Sequence, residues 1–280
     1  MANREKQDMT AELAEGKILP LVFKLTIPAV IAQLITFLYN IVDRMYVARI
    51  EGSGMDALAA LGIVLPITLI MQAFANLVGL GGAPRAGIKL GEGKVDEANR
   101  IFHTAFCLLV LLGVVIGAAA FCFARQIVLL FGCPESAVEF AVSYLKIYAC
   151  GTIFVMLAQG LNPFILTQGY SWLAMSSVLL GALINIALDP LFIFTFKMGV
   201  QGSSLATILS QLCSCIWIVC FFFSRKSLFR CPEKPLPPCH TGFIAAPKSL
   251  SDSSTDTVLQ RGKARLAQQN APSGCPAAFL

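Results

Sequence analysis

The stretch at residues 171–196, SWLAMSSVLLGALINIALDPLFIFTF, is long enough to cross a lipid bilayer as one helix, which rises about 1.5 Å per residue. It nevertheless carries one full charge, Asp189, and an amide, Asn185, one turn earlier. Steps of four residues place Gly181, Asn185 and Asp189 on one face of that helix. A carboxylate in hydrocarbon is costly unless it points into a bundle or a watery cavity, so we expect this face to be inward and functional.

The composition is that of a membrane protein. Of the 280 residues, 56% are hydrophobic and only 13% are charged, whereas about 25% of the residues in soluble domains are charged. The net charge of +5 is spread between apolar stretches, and the basic stripe that would neutralise a nucleic-acid backbone is missing. The sequence therefore predicts an all-α, polytopic membrane protein embedded in a lipid bilayer, with no nucleic-acid partner.

Apolar stretches predict six transmembrane helices that form one bundle, here called the lobe, at residues 18–42, 57–83, 101–123, 138–167, 171–196 and 203–223. The lobe is expected to occupy residues 18–224, after a polar cytosolic lead-in at residues 1–17. Residues 225–280 begin proline-rich and are predicted to be a disordered cytosolic tail. Lys and Arg are concentrated before the first span, after the second and after the sixth, which predicts that both termini are cytosolic.

Polar side chains recur at helical spacing in five of the six spans. Several of them offer hard oxygen or amide donors, and these are the candidate cation-binding residues: Asp43, Tyr144, Asn162, Asn185, Asp189 and Thr207. Such oxygens suit sodium, and a carboxylate can bind a proton instead. If the bound and free states favour different helix arrangements, an ion gradient can drive a conformational cycle, as in secondary transporters.

Most of these residues also have a purely structural interpretation. A single polar residue such as Thr207 more often serves helix packing or hydrogen bonding in a membrane protein. Asp43 could form a local ion pair with Arg44, or could be paired with Lys146, while Tyr144 and Asn162 fit either role. Asp189 is the exception, because a buried carboxylate has no cheap structural use.

Enzyme chemistry finds little support in the sequence. It contains no G-x-x-x-x-G-K-[ST], no H-E-x-x-H and no G-x-S-x-G, and only two histidines. Six of the ten cysteines lie singly in apolar spans and are interpreted as packing residues. Cys231, Cys239 and His240 are a weak metal-site candidate without an evident fourth ligand. We therefore expect a protein that is not an enzyme, with no organic cofactor and no metal beyond sodium.

Four stretches taken together resemble the multidrug and toxic compound extrusion (MATE) family of cation-coupled efflux transporters. They are ILPLVFKLTIPAVIAQLITFLYNIVDRMYVARI at residues 18–50, DALAALGIVLPI at 56–67, GLGGAPRAGIKLGEGKVDEANR at 79–100 and NIALDPLFIFTFKMGVQGSSLATILSQ at 185–211. The resemblance implies that Pro28 is a helix-bending point. It also implies that the six candidate residues form the cation site of an antiporter that exports organic cations or drugs across the plasma membrane in exchange for protons or sodium.

Members of that family have two six-helix lobes with the substrate path between them. The resemblance covers residues 18–229 and only the first lobe, so the chain is expected to be an N-terminal lobe. It would come from a truncated gene, or from a half-length protein that pairs with a second lobe or a copy of itself. Two alternatives remain: a fragment that inserts into the membrane and exports nothing, and a lipid or oligosaccharide flippase of the wider superfamily, for which a more strongly cationic cavity is expected.

Overall fold

The computed structural model describes residues 18–50, 54–224, 227 and 229. Seven α-helices lie within them: α1 Ile18–Ala48, α2 Gly54–Gly91, α3 Val95–Cys122, α4 Ala124–Leu130, α5 Glu135–Thr167, α6 Ser171–Pro190 and α7 Val200–Phe223. A π-helical turn, Leu191–Thr195, follows α6 directly. This part of the chain has no β-strand, which confirms the all-α class. The predicted lead-in at residues 1–17 lies outside the described residues, as does the tail apart from Ser227 and Phe229.

Six of these helices are long and apolar enough to cross a membrane. Within the described ranges the spans are Thr26–Ala48, Gly54–Gly91, Val95–Cys122, Glu135–Thr167, Ser171–Thr195 and Val200–Phe223. Their order agrees with the six spans expected from hydropathy. The prediction of one polytopic bundle of six transmembrane helices is therefore confirmed.

The second span is longer than its apolar stretch indicated. The apolar stretch predicts a span that ends at residue 83, but α2 continues through Pro84 to Gly91. At 38 residues it measures about 57 Å, nearly twice the hydrocarbon thickness of a bilayer, so its end must project into water. The helix is longer than the apolar stretch because hydropathy locates the membrane-embedded segment and not the end of the helix.

Ion pairs hold the tight connection between α2 and α3. Lys89 Nζ lies 3.0 Å from Glu92 Oε2 and 3.2 Å from Glu97 Oε2, and Lys94 Nζ lies 3.0 Å from Glu92 Oε2. The hydrogen bonds donated by Lys89 and Lys94 hold the pKa of Glu92 below its usual value. Exposed pairs of this kind contribute little stability each, but their charges show that this end of the bundle lies in water.

Helix α5 is the centre of the lobe. It packs against α2, α3 and α7, while α1 packs mainly on α6 and α6 packs on α7. The chain breaks between two helices at residues 131–134: α4 ends at Leu130, Gly132 adopts a positive φ of 76°, and α5 begins at Glu135. This turn directs α5 into the middle of the bundle.

Backbones approach closely where α2 crosses α5. A Cβ added to Gly79 would lie 2.6 Å from the carbonyl oxygen of Gly160 and 3.1 Å from its Cα. Small residues at such crossings let membrane helices gain packing energy that lipid-facing leucines do not supply. The contact fixes the distance between two helices that line the interior of the lobe.

Two residues beyond α7 also pack on the bundle. Phe229 is fully buried, with its ring stacked 5.4 Å from that of Phe102 and edge-on to Phe164 at 5.9 Å. The Ser227 hydroxyl lies 3.2 Å from Gln168 Oε1. Ordered packing therefore extends past residue 224, where we expected the lobe to end.

The α2–α5 crossing gives a test of the fold. Gly79→Ala should destabilise the protein by about 1–3 kcal/mol, because the added methyl group meets backbone that has no room to yield. The matched control is Gly81→Ala on the same helix, where a Cβ meets nothing within 4 Å. This control should be neutral or stabilising by up to about 1 kcal/mol. Unfolding midpoints in detergent measure both, and equal midpoints would contradict the close approach.

Candidate functional site

The polar face predicted on the fifth span points into the bundle. Asp189 is 0% exposed and Asn185 is 1% exposed, and Gly181 is buried on the same face. A Cβ on Gly181 would collide with the hydroxyl oxygen of Ser214 on α7, so the glycine allows α6 and α7 to approach. Asp189 lies six residues before the end of the Ser171–Thr195 span, or about 9 Å along the helix.

Asp43 on α1 is the second carboxylate of the site. It is 8% exposed, and Ser203 Oγ at the start of α7 donates a 2.6 Å hydrogen bond to its Oδ1. Its carboxyl group also interacts electrostatically with that of Asp189. Three helices thus bring two acids together: the end of α1, the end of α6 and the beginning of α7.

Amide and hydroxyl groups surround the acid pair. Asn185 Nδ2 donates to Thr207 Oγ1 at 3.4 Å, and Thr207 Oγ1 donates to the Ser203 carbonyl at 3.0 Å. The Tyr144 hydroxyl lies beside Thr207, and its ring stacks on Tyr148 with centroids 6.2 Å apart. Five of the six predicted site residues are therefore neighbours in the structure.

Three acceptor oxygens in this cluster are buried without a hydrogen-bond donor. They are Asn185 Oδ1 and both carboxylate oxygens of Asp189, and no donor among the described residues reaches them. A buried acceptor that lacks a partner costs about 1–3 kcal/mol, and more when it is charged. A proton or a sodium ion would satisfy such oxygens, since both are bound by hard donors.

A cavity of about 600 Å³ opens beside the acid pair. Aromatic rings and amides from four helices line it, and its charged lining residues are Asp43 and Arg44. The polar and aromatic lining residues include Gln33, Thr36, Phe37, Tyr39, Asn40, Thr68, Gln72, Tyr144, Tyr148, Gln159, Thr207 and Gln211. Volumes of about 300–1,000 Å³ are usual for small-molecule sites. A flippase is expected to have a strongly cationic cavity, whereas Arg44 is the one basic residue among those that line this cavity.

Asn162 does not join the cluster. Its Nδ2 donates instead to Ser177 Oγ at 3.2 Å and to the Ala174 carbonyl at 3.4 Å. Ser177 precedes Asn185 by two turns of α6, about 12 Å along the helix. Asn162 lines a second cavity of about 420 Å³, whose described lining carries no charged side chain.

Sequence reasoning missed Ser203 as a site residue. It precedes Thr207 by four residues, so both lie on the same face of α7. That spacing was a usable signal, but a serine in an apolar helix is most often a packing residue. The missing information was which residue of α1 the serine faces, and only the packing of α1 against the bundle supplies it.

The other predictions are resolved unevenly. Pro28 is buried within a continuous α1, and its role as a bending point stays a prediction. Lys146 is exposed and lines neither cavity. The part of the chain that the structure describes contains no cluster of three metal-ligating side chains, and Cys231, Cys239 and His240 lie outside it.

The helix changes its winding immediately after the acid. Pro190 follows Asp189 and has no N–H to donate, and the chain then forms the π-helical turn Leu191–Thr195. Phe194 in this turn contacts Tyr46 of α1 edge-on, with centroids 6.2 Å apart. Irregular turns of this kind occur frequently at functional sites, and here the turn connects the Asp189 helix to the Asp43 helix.

Comparison with known proteins shows which family and which relatives the chain is similar to. The family model described as MatE matches residues 28–191, more than half of the chain, and the match includes both acids of the site. A multidrug export protein MepA from Staphylococcus haemolyticus is 27% identical over 222 residues, which cover 79% of this chain and 48% of the relative. MepA from Staphylococcus aureus strain MRSA252 is 26% identical over 205 residues, covering 72% and 45%. The chain spans about half the length of these relatives.

Solved structures agree with the lobe. An outward-facing multidrug resistance MATE family transporter of the MOP superfamily aligns with a TM-score of 0.76 at 26% identity, covering 82% of this chain and 51% of that chain. A MATE crystal structure in the bent conformation aligns with a TM-score of 0.75 at the same identity and coverage.

The hydrogen bond from Ser203 to Asp43 gives a test of the site geometry. Ser203→Ala should destabilise the protein by about 1.5–3 kcal/mol, the usual effect of losing a hydrogen bond to a charged group. Ser210→Ala is the matched control on the same helix, since Ser210 Oγ donates only to the carbonyl of Thr207 on α7. It should change stability by about 0.5 kcal/mol or less, because an intrahelical bond of this kind adds little. Equal losses in thermal unfolding would contradict the Ser203–Asp43 contact.

Proposed function

Since this chain belongs to the MatE family, we propose that it supplies the cation-binding lobe of a cation-coupled exporter of organic cations and drugs. The coupling ion is a proton or sodium, bound at the Asp43–Asp189 pair. Asp189 is the carboxylate that gains and loses the ion, with Asn185 and Thr207 as its oxygen partners. The proposal needs no organic cofactor and no enzymatic step.

The observation that carries this proposal is the acid pair with its unsatisfied oxygens. Two neighbouring carboxylates inside an apolar bundle repel each other unless a positive ion lies between them or one is protonated. Binding of the ion therefore changes the charge of the interface that joins α1 to α6 and α7. If the neutralised and charged states favour different positions of α1, ion binding is coupled to a conformational change.

The neighbouring cavity supports an organic cation as the substrate. Tyr39, Tyr144 and Tyr148 offer ring faces, which attract cations, while Asp43 offers a charge partner. The exporters from Staphylococcus to which the chain is similar are described as multidrug export proteins. An amphipathic cavity of this kind accepts many flat cations, because its contacts are broad and only a few of them are directional.

Export requires a second set of helices that encloses the substrate path together with this lobe. Because the chain matches about half of its relatives' length, we propose that a second lobe, or a second copy of this chain, completes the path in the plasma membrane. Both termini would be cytosolic, so the acid pair would lie in the outer half of the lobe. The competing proposal is a lobe that binds the ion and exports nothing, and export assays separate the two.

Efflux of a fluorescent organic cation from cells that express this chain tests the proposal. The native chain should export the dye above the empty-vector level, and Asp189→Asn should reduce export to that level, because the amide can neither bind a proton nor pair with a cation. Asp96→Asn is the matched control, since Asp96 is an exposed residue in the first turn of α3, and it should leave export unchanged.

The possible outcomes separate the proposals. Equal export by the native chain and by Asp189→Asn, above the empty-vector level, would refute the role of Asp189. No export by the native chain, with normal insertion in the membrane, would favour the non-transporting lobe. Loss of export in both Asp variants would indicate a general sensitivity to charge and not a site.

A further inference from the structure

Arg44 is the one cationic side chain that lines either cavity within the described residues. It follows Asp43 on α1, lies half-buried at the wall of the 600 Å³ cavity, and interacts electrostatically with the Asp43 carboxylate. A half-buried guanidinium in a membrane span is as unusual as the acids beside it. The ion-binding role proposed for Asp189 and Asp43 does not by itself explain why a positive charge should lie at their site.

Arg44 lies beside the acid pair but forms no close ion pair with Asp43. Successive residues on a helix point about 100° apart, and no N···O distance of 4.0 Å or less joins Arg44 to Asp43 among the described ion pairs. Asp43 Oδ1 is taken by Ser203, and both oxygens of Asp189 lack a donor. Arg44 thus acts on Asp43 through space and leaves the oxygens of Asp189 free for a ligand.

A count of the charges around the pair is informative. When ionised, Asp43 and Asp189 contribute two negative charges, and Arg44 contributes one positive charge. The other titratable groups that face Asp43 are phenols, which are neutral at physiological pH: Tyr39 on α1, and Tyr144 and Tyr148 on α5. Helices α2 and α7 contribute only neutral groups, which include Thr68, Gln72, Ser203, Thr207 and Gln211. The ionised site therefore has a net charge of about one negative unit.

We propose that Arg44 sets the valence of the cation site, so that the acid pair binds one monovalent cation and rejects divalent cations. A single sodium ion would neutralise the remaining charge. A divalent ion would leave one uncompensated positive charge in a low-dielectric bundle, where such a charge is costly. This inference rests on the proposed function, since it takes the acid pair to be the ion site, and it adds a specificity-determining residue to that site.

Cation titrations on the purified full-length chain in detergent test the inference. Sodium chloride and calcium chloride are the probes, choline chloride keeps the ionic strength constant, and the shift of the thermal unfolding midpoint is the readout. The native chain should be stabilised by sodium and not by calcium. In Arg44→Gln, the half-saturating sodium concentration should fall about tenfold, because one like charge is removed from the site, and calcium should now stabilise the protein.

Two control variants isolate the charge. Arg44→Lys keeps the positive charge and should retain the native preference for sodium. Arg49→Gln removes the same charge five residues further along the chain, directly after the end of α1, where the side chain is exposed and lines neither cavity. It too should behave like the native chain.

Several results would overturn the inference. One is a calcium response of the native chain that equals its sodium response. Another is identical titrations for Arg44→Gln and Arg49→Gln, and the third is an Arg44→Lys protein that behaves like Arg44→Gln. The first comparison needs no variant, so it holds even if a substitution impairs folding. If neither the native chain nor Arg44→Gln responds to sodium, the valence role is refuted, while the efflux assay with Asp189→Asn still decides separately whether the acid pair couples to protons.

Discussion

Two neighbouring carboxylates buried within an apolar bundle are the constraint on which the rest of the lobe depends. Asp189 is fully buried, Asp43 nearly so, and the two interact electrostatically. Like charges in such a place destabilise the fold unless a proton or cation compensates them. We propose that the two acids together bind a ligand of positive charge, and that the polar groups at the site are arranged with respect to that ligand.

The surrounding architecture holds this pair in place and provides access to it. Helix α5 packs on three neighbours and carries Tyr144 to the site, while Gly181 lets α6 and α7 come close enough for Asn185 to reach Thr207. Helix α1 packs mainly against α6, so the two acids lie on the helices of its principal interface. We propose that a change in charge at the acid pair changes the position of α1.

The sequence predicts the parts of this arrangement that are local. The four-residue ladder ending at Asp189 is readable because helical periodicity relates residues close together in the chain. Ser203 and Asn162 are different, because their partners, Asp43 and Ser177, are set by the packing of separate helices. Helix α2 extends beyond its apolar stretch for a related reason. Hydropathy locates the part of the helix inside the bilayer, whereas the ion pair between Lys89 and Glu92 holds the last turn of α2 in water.

The central claim is that the acid pair exchanges a positive ion. Infrared difference spectra of the purified chain, recorded between two pH values and with or without sodium, test it most directly, because protonated and ionised carboxyl groups absorb at different frequencies. The account predicts a carboxyl difference signal that disappears in the double variant Asp43→Asn/Asp189→Asn. Spectra of the native chain and the double variant that are identical under every condition would contradict it.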